Sequence, residues 1–235
     1  MARLFKLAVP ILGGKLRGMW WSPFSGGKLA RVYLGTYEAE QSEIMAGHLH
    51  TGCRFVDVGA HHGYYTLMAS RIAGPTGSVL AFEPDSMNYR YLSKHVDWNK
   101  LDNVERLNSA VSFEKGTATF TKGTGTGTGH LSSNGDISVS TITLDEELSA
   151  REFEPTHIKI DVEGAEVDVL SGALSTLRTF QPTLFLSTHG PDVHAQCCDL
   201  LQDVGYQLIP ILGDDLANTS ELIAIAPAAL DHQAA

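Results

Sequence analysis

An acid two residues before a glycine, with a second glycine four further on, marks the stretch Asp57-Val58-Gly59-Ala60-His61-His62-Gly63. These glycines fit a sharp strand-to-helix turn, where a ligand can approach the backbone closely. N–H groups at the start of the next helix face such a ligand and favour a carboxylate or phosphate. A dinucleotide site needs Gly-x-Gly-x-x-Gly to seat a pyrophosphate. Here the middle glycine is missing and an acid stands on the strand, a pattern better suited to S-adenosylmethionine. That ligand brings an ammonium for Asp57, a carboxylate for the N–H groups, and no phosphate. Glu83 follows at the end of the run Val79-Leu80-Ala81-Phe82. A carboxylate there can accept hydrogen bonds from both hydroxyls of a ribose. A third dense stretch, Ile158-Lys159-Ile160-Asp161-Val162-Glu163-Gly164-Ala165-Glu166, delivers acids to another strand end. Glu166 suits the dipole of the helix that follows. Asp161 and Glu163 are costly in such a turn unless solvated, paired or used.

The elements that must hold these residues alternate. Strands are expected at Arg54–Val58, Val79–Phe82, Val104–Asn108, His157–Ile160 and Leu184–Ser187, with final strands at Tyr206–Pro210 and Leu222–Ala226. Between them, helical spacing covers Tyr64–Ala73, Met87–Trp98, Asp145–Arg151 with Asp145 as its cap, Ala165–Phe180 and Val193–Val204. A further helix is expected over Tyr37–His50. The order implies a mainly parallel sheet with helices on both faces and ligands at the carboxyl ends of its strands. Ala118–Thr121 and Ile137–Thr143 alternate like strands, and the Gly-Thr repeat between them, residues 122–130, reads as a mobile loop able to close over a substrate.

Together, Phe55 to Thr66, Phe82-Glu83-Pro84-Asp85 and Ile158 to Glu166 resemble the FkbM family of S-adenosylmethionine-dependent methyltransferases over about residues 35–210. The resemblance implies a class I methyltransferase fold: a Rossmann-like three-layer sandwich around a mainly parallel seven-stranded sheet with an antiparallel last strand. It implies O-methylation of a hydroxyl, or of a carboxyl that needs no base, on a small natural product, sugar or peptide-like acceptor. Carried over by position, Asp57, Gly59 and Gly63 line the methionine end of the cofactor, with Ala60, His61 and Tyr64 in the same loop and helix start. Glu83 holds the ribose, Asn108, Ser109 and Ala110 lie near the adenine, and Asp161 faces the sulfonium beside the acceptor. The chain departs from the family at His61, where members often have Asn, and at Ser187-Thr188-His189-Gly190, where they often carry an acid.

A hydroxyl acceptor must lose its proton during attack, and general-base help is worth about 10²–10⁴-fold. If the strands ending at Asp161 and Ser187 are neighbours, Asp161 and His189 converge on one rim. His189 is then the first candidate for the base and Asp161 the second, with Glu163 close by. The weaker alternative is a divalent cation, Mg²⁺ or Mn²⁺, held by Asp161, Glu163 and His189. An NAD-dependent oxidoreductase and a non-catalytic binding module are the competing functions.

Composition bounds the rest. Cysteines are sparse (Cys53, Cys197 and Cys198) and lack metal-type spacing, in keeping with a reduced cytoplasmic protein. No apolar run is long enough to span a membrane, and the first ten residues read as mature sequence. Residues 1–31 hold Arg3, Lys6, Lys15, Arg17, Lys28 and Arg31 and no acid. The whole chain carries −10, so the remainder carries −16. That body argues against a nucleic-acid substrate. The chain is therefore divided into a basic lead over 1–48, a cofactor-binding domain over 49–229 and a short tail over 230–235. The lead is expected to dock on its own body as a lid or to form a homodimer contact.

Overall fold

Short apolar runs bounded by turn residues set the architecture. In the computed structural model, residues 7–26, 28–121, 130–131, 137–211, 213 and 215–226 are described. The lead contributes β1 (Val9–Pro10), β2 (Trp20–Trp21), α1 (Leu29–Leu34) and α2 (Ala39–His48). The first half continues with β3 (Arg54–Val58), α3 (Tyr64–Ala73), β4 (Ser78–Phe82), α4 (Ser86–Trp98) and β5 (Val104–Leu107). A side sheet follows, made of β6 (Ala110–Val111), β7 (Gly116–Thr121), β8 (His130–Leu131) and β9 (Ile137–Ile142). The second half holds α5 (Leu144–Ala150), β10 (His157–Ile160), α6 (Glu166–Ser171), α7 (Leu174–Phe180), β11 (Thr183–Ser187), α8 (Pro191–Asp203), β12 (Gln207–Pro210) and β13 (Glu221–Ile225).

The central sheet has seven strands in the order β12-β13-β11-β10-β3-β4-β5. From β11 to β5 every pairing is parallel, and β13 runs antiparallel between β11 and β12. This is the class I methyltransferase architecture expected. Alternation along β3 divides the core. Phe55 packs with Met45, Leu67, Met68 and Leu92 of α2, α3 and α4 on one face. Val56 and Val58 pack with Leu148, Leu170, Leu177 and Leu201 of α5 to α8 on the other. Each such buried side chain contributes roughly 1.5–3 kcal/mol relative to exposure. The lead shares the first core through Ile11, Leu16, Met19, Trp21 and Val32. Among the described residues no helix is long and apolar enough to cross a membrane.

Several local expectations need correction. The single helix over Ala165–Phe180 is two, broken at Gly172-Ala173. A Cβ at Gly172 would stand 2.1 Å from the Ser112 carbonyl oxygen, so the chain turns where it meets that strand end. The cap of α5 is Thr143, whose Oγ1 accepts from the Glu146 N–H. Asp145 instead accepts from the N–H groups of Ser175 (2.9 Å) and Thr176 (2.7 Å), a cap lent to α7 across the fold. The helix expected over Tyr37–His50 is shorter, Ala39–His48. Of the Gly-Thr stretch only His130 is described, as the start of β8, and the tail over 230–235 also lies outside the described residues.

Candidate active site

The chain builds β3, β4 and β5 outward in one direction, then β10 and β11 in the other. Ligands of such sheets bind where the direction reverses, beyond the carboxyl ends of the central strands. Here that point is the seam between β3 and β10. Val58 pairs with Ile160, so Gly59 and Asp161 emerge side by side. Asp161 N–H donates to the Val58 carbonyl at 3.1 Å. Gly59 has φ 80°, and a Cβ there would lie 1.9 Å from the Asp161 carbonyl oxygen. The contact between the two loops therefore demands this glycine, a reason separate from ligand approach. Gly63, at φ 92°, is demanded by packing of α3 on α4, since its Cβ would stand 2.7 Å from Leu92 Cδ1.

Part of the expected N–H cradle is already engaged. Gly59 and Ala60 donate to the Phe82 carbonyl, and Gly63 donates to the Ala60 carbonyl. His61 N–H donates to Glu83 Oε2 at 2.7 Å. The loop is also pinned from behind. His62 Nε2 lies 3.0 Å from Asn88 Oδ1. The fully buried His95 donates from Nδ1 to the His62 carbonyl (2.7 Å) and accepts at Nε2 from the Ser22 N–H (3.0 Å). Trp21 stacks on that ring, with centroids 3.8 Å apart. Burial pulls the pKa of His62 down to about 2 and of His95 to about 3, so both rings stay neutral.

On the β4–β5 side, Glu83 is 5% exposed and anchors the turn after β4. Its Oε1 accepts from the Asp85 N–H at 2.9 Å and from Asn88 Nδ2 at 3.4 Å, and Oε2, with the His61 N–H, keeps further acceptor capacity. Burial raises its pKa to about 7, against the pull of these N–H donors. Beside it runs an apolar slot, about 270 Å³ with its open mouth counted, bounded by Gly59, Phe82, Ser109, Ala110, Val162 and Ala165. Asn108 stands outside this slot: its Nδ2 donates to the carbonyls of Glu83 and Pro84 and braces the turn. Tyr64 begins α3 and is buried. Asp57 is wholly buried, accepts from Thr66 Oγ1 at 2.5 Å and faces Lys159 Nζ at 3.7 Å.

On the β10–β11 side, charge is concentrated. Asp161 and His189 do converge, with Asp161 Oδ1 3.8 Å and Glu163 Oε2 3.5 Å from His189 Nε2. Behind the ring, Glu166 Oε1 accepts from His189 Nδ1 at 2.8 Å and from the N–H groups of Gly164 (3.0 Å) and Val162 (3.3 Å). Glu166 thus does more than face a helix dipole; it ties the post-β10 loop to the post-β11 loop. Its hydrogen bond is the largest reason that the His189 pKa rises to about 9, with Glu163 and Asp161 adding to it against the effect of burial. Held protonated to about pH 9, the ring is charged at neutral pH, which weighs against His189 as the base. One ligand atom each from Asp161, Glu163 and His189 lies within 4.8 Å of the others.

Sequence reasoning gave no role to Lys159. It is 5% exposed, in the middle of an apolar strand, with Asp161 Oδ2 at 3.4 Å and Asp57 at 3.7 Å. Burial opposes its charge, but Asp161, Asp57 and Glu38 together hold the ammonium well above the ordinary lysine value. The available signal was the pattern His157-Lys159-Asp161 itself, since a lysine inside a buried strand needs acidic partners.

Comparison with known proteins gives relatives in sequence and in fold. A hexuronic acid methyltransferase from Haloferax volcanii is 30% identical over 126 residues, covering 52% of this chain and 51% of the relative. The crystal structure of a methyltransferase FkbM from Methylobacillus flagellatus KT superposes with TM-score 0.57 at 16% identity, over 79% of this chain and 47% of that one. A precorrin-6y C5,15-methyltransferase from Geobacter metallireducens GS-15 superposes with TM-score 0.50 at 12% identity, over 80% and 87%. The chain thus spans about half the length of the first two. The sequence profile of the methyltransferase FkbM domain matches residues 57–208, from the acid of the first glycine loop to the strand β12. With well over half its length inside that match, the chain belongs to the FkbM methyltransferase family.

Proposed function

We propose that this protein transfers the methyl group of S-adenosylmethionine to a hydroxyl of a small acceptor. The observation that carries the reading is the pairing of a buried carboxylate, Glu83, with an apolar slot at the β3–β10 seam. The adenine is assigned to the slot between Phe82, Ser109, Ala110, Val162 and Ala165, and Glu83 Oε2 has acceptor capacity for a ribose hydroxyl. Gly59, Ala60, His61, Gly63 and Tyr64 form the wall for the methionine end. Asp57 and Asn108 act as positioning residues, the first through Thr66 and Lys159, the second through the Glu83-Pro84 turn.

When bound, the cofactor supplies a methyl group already activated by its sulfonium. The protein has to place the acceptor oxygen in line behind that methyl at about 3–3.5 Å. The new oxygen–carbon bond forms as the sulfur–carbon bond breaks, and the hydroxyl proton leaves to a base. We assign that proton to the Asp161 carboxylate, which borders the seam. His189, fixed by Glu166, stands between Asp161 and Glu163 and holds both carboxylates at the rim. The likeness to a hexuronic acid methyltransferase supports a sugar-like acceptor.

Calorimetric titration with S-adenosylhomocysteine and with NAD tests the cofactor. Binding of the first alone is expected, and binding of NAD alone would overturn the proposal. The convergence of Asp161, Glu163 and His189 favours a second version of the deprotonation step, in which these groups hold Mg²⁺ or Mn²⁺ and lower the pKa of the hydroxyl. Turnover that survives EDTA supports the imidazolium-paired cluster; turnover that needs added Mg²⁺ assigns the cation.

A further inference from the structure

A second cleft opens on the far side of Asp161 from the adenine slot, with about 300 Å³ of space counting its mouth. Three carboxylates face it: Glu38 from the residue before α2, Asp161, and Glu221 from the start of β13. Lys159 is the lysine of this wall, and it is already held by Asp57 and Asp161. The carboxylates are set by neighbours rather than loose. Tyr65 donates its hydroxyl to Glu38 Oε2 at 2.8 Å, and Ser187 donates Oγ to Glu221 Oε2 at 2.8 Å. Met45, Phe185 and Ile211 supply an apolar wall. Carboxylates with spare lone pairs above a carbon surface suit a ring that carries many hydroxyl donors and buries its C–H face. An added carboxylate would enter a half-buried space with acids on three sides, where the cations beside them among the described residues, Lys28 and Lys159, are already paired with Glu38 and with Asp57 and Asp161.

Resting on the methyl-transfer reading above, we infer that this cleft is the acceptor site and takes a polyhydroxylated acceptor of monosaccharide size that lacks a carboxylate, unlike the acid named for the haloarchaeal relative. Two of the three acids, Glu38 and Glu221, lie outside residues 57–208, the part matched by the family profile. The match to the family therefore carries no information about these two walls of the cleft.

The test uses the full chain, S-adenosylmethionine and a matched pair of acceptors, a methyl hexoside and the corresponding methyl hexuronoside, with formation of S-adenosylhomocysteine as readout. The expected kcat/KM is at least tenfold higher for the hexoside. In a Glu38→Gln, Glu221→Gln double variant the gap should narrow because the hexuronoside improves. Equal or better use of the hexuronoside by the unaltered protein would overturn the inference. So would failure to methylate either sugar by protein that binds S-adenosylhomocysteine in the calorimeter. Absence of that binding would instead remove the methyl-transfer reading, and this inference with it.

Discussion

On the β4–β5 side of the seam a lone carboxylate, Glu83, is fixed by backbone N–H groups beside an apolar slot. On the β10–β11 side, Asp161, Glu163, Glu166 and Glu221 crowd around His189 and Lys159, and side chains from distant parts of the chain complete the wall. Backbone donors within a turn can be specified by a few adjacent residues. A wall of side chains from α2, β10, β11 and β13 cannot. On the assignment proposed above, the contrast explains why the cofactor side reads as a short motif while the acceptor side does not.

Four perturbations would break or sharpen the contrast. Asp161→Asn should lower kcat by about 10³-fold, within the range of general-base catalysis, while the affinity for S-adenosylhomocysteine changes less than threefold. Comparable losses in both would place Asp161 on the cofactor side instead. Lys159→Met strands the buried Asp57 carboxylate at the seam between the two sides. Breaking a buried pair this way costs about 3–5 kcal/mol, so thermal unfolding should show a fall in Tm on the order of 10 °C. An unchanged Tm would show that the lysine does not neutralise Asp57. Glu83→Ala removes a charge-assisted hydrogen bond and should weaken S-adenosylhomocysteine binding on the order of 30-fold in calorimetry. An unchanged Kd would end the ribose assignment.

The smallest effects come from pH and differ between the sides. Glu83 has its pKa raised to about 7 by burial, and a ribose hydroxyl donates to its ionised form. Below pH 7 binding must expel a proton, so Kd should rise about tenfold for each unit of pH lost, and stay flat above 7. A pH-independent Kd between 5.5 and 7 would contradict this. On the other side, His189 keeps its proton up to about pH 9. With Asp161 as base, kcat should show no rise between pH 7 and 9. A tenfold rise per unit up to 9 would return the role of base to His189.

Legibility follows the same division. Arg54–Val58 and Tyr64–Ala73 are readable to the residue, because apolar alternation and the flanking glycines are local signals. Asp145 looks like the cap of its own helix, yet its carboxylate serves α7 some thirty residues on, a choice made by packing. The break at Gly172 is hidden for the same reason, since the obstacle is the Ser112 carbonyl. In the lead, β1, β2 and α1 carry too few residues for a period to show. At the site, the sequence places Glu83, Asp161 and His189 at strand ends. It does not show that three acids would surround the histidine and change its charge.

The backbone contact between Gly59 and Asp161 works as a ruler. The two loops meet through main-chain atoms. On the assignment proposed above, a shift of one loop carries the other along, so donor and base move together. Redesign of acceptor preference can therefore proceed on α2 and β13 without retuning the reacting centre, whereas even a single added methyl group at position 59 would put both partners out of alignment.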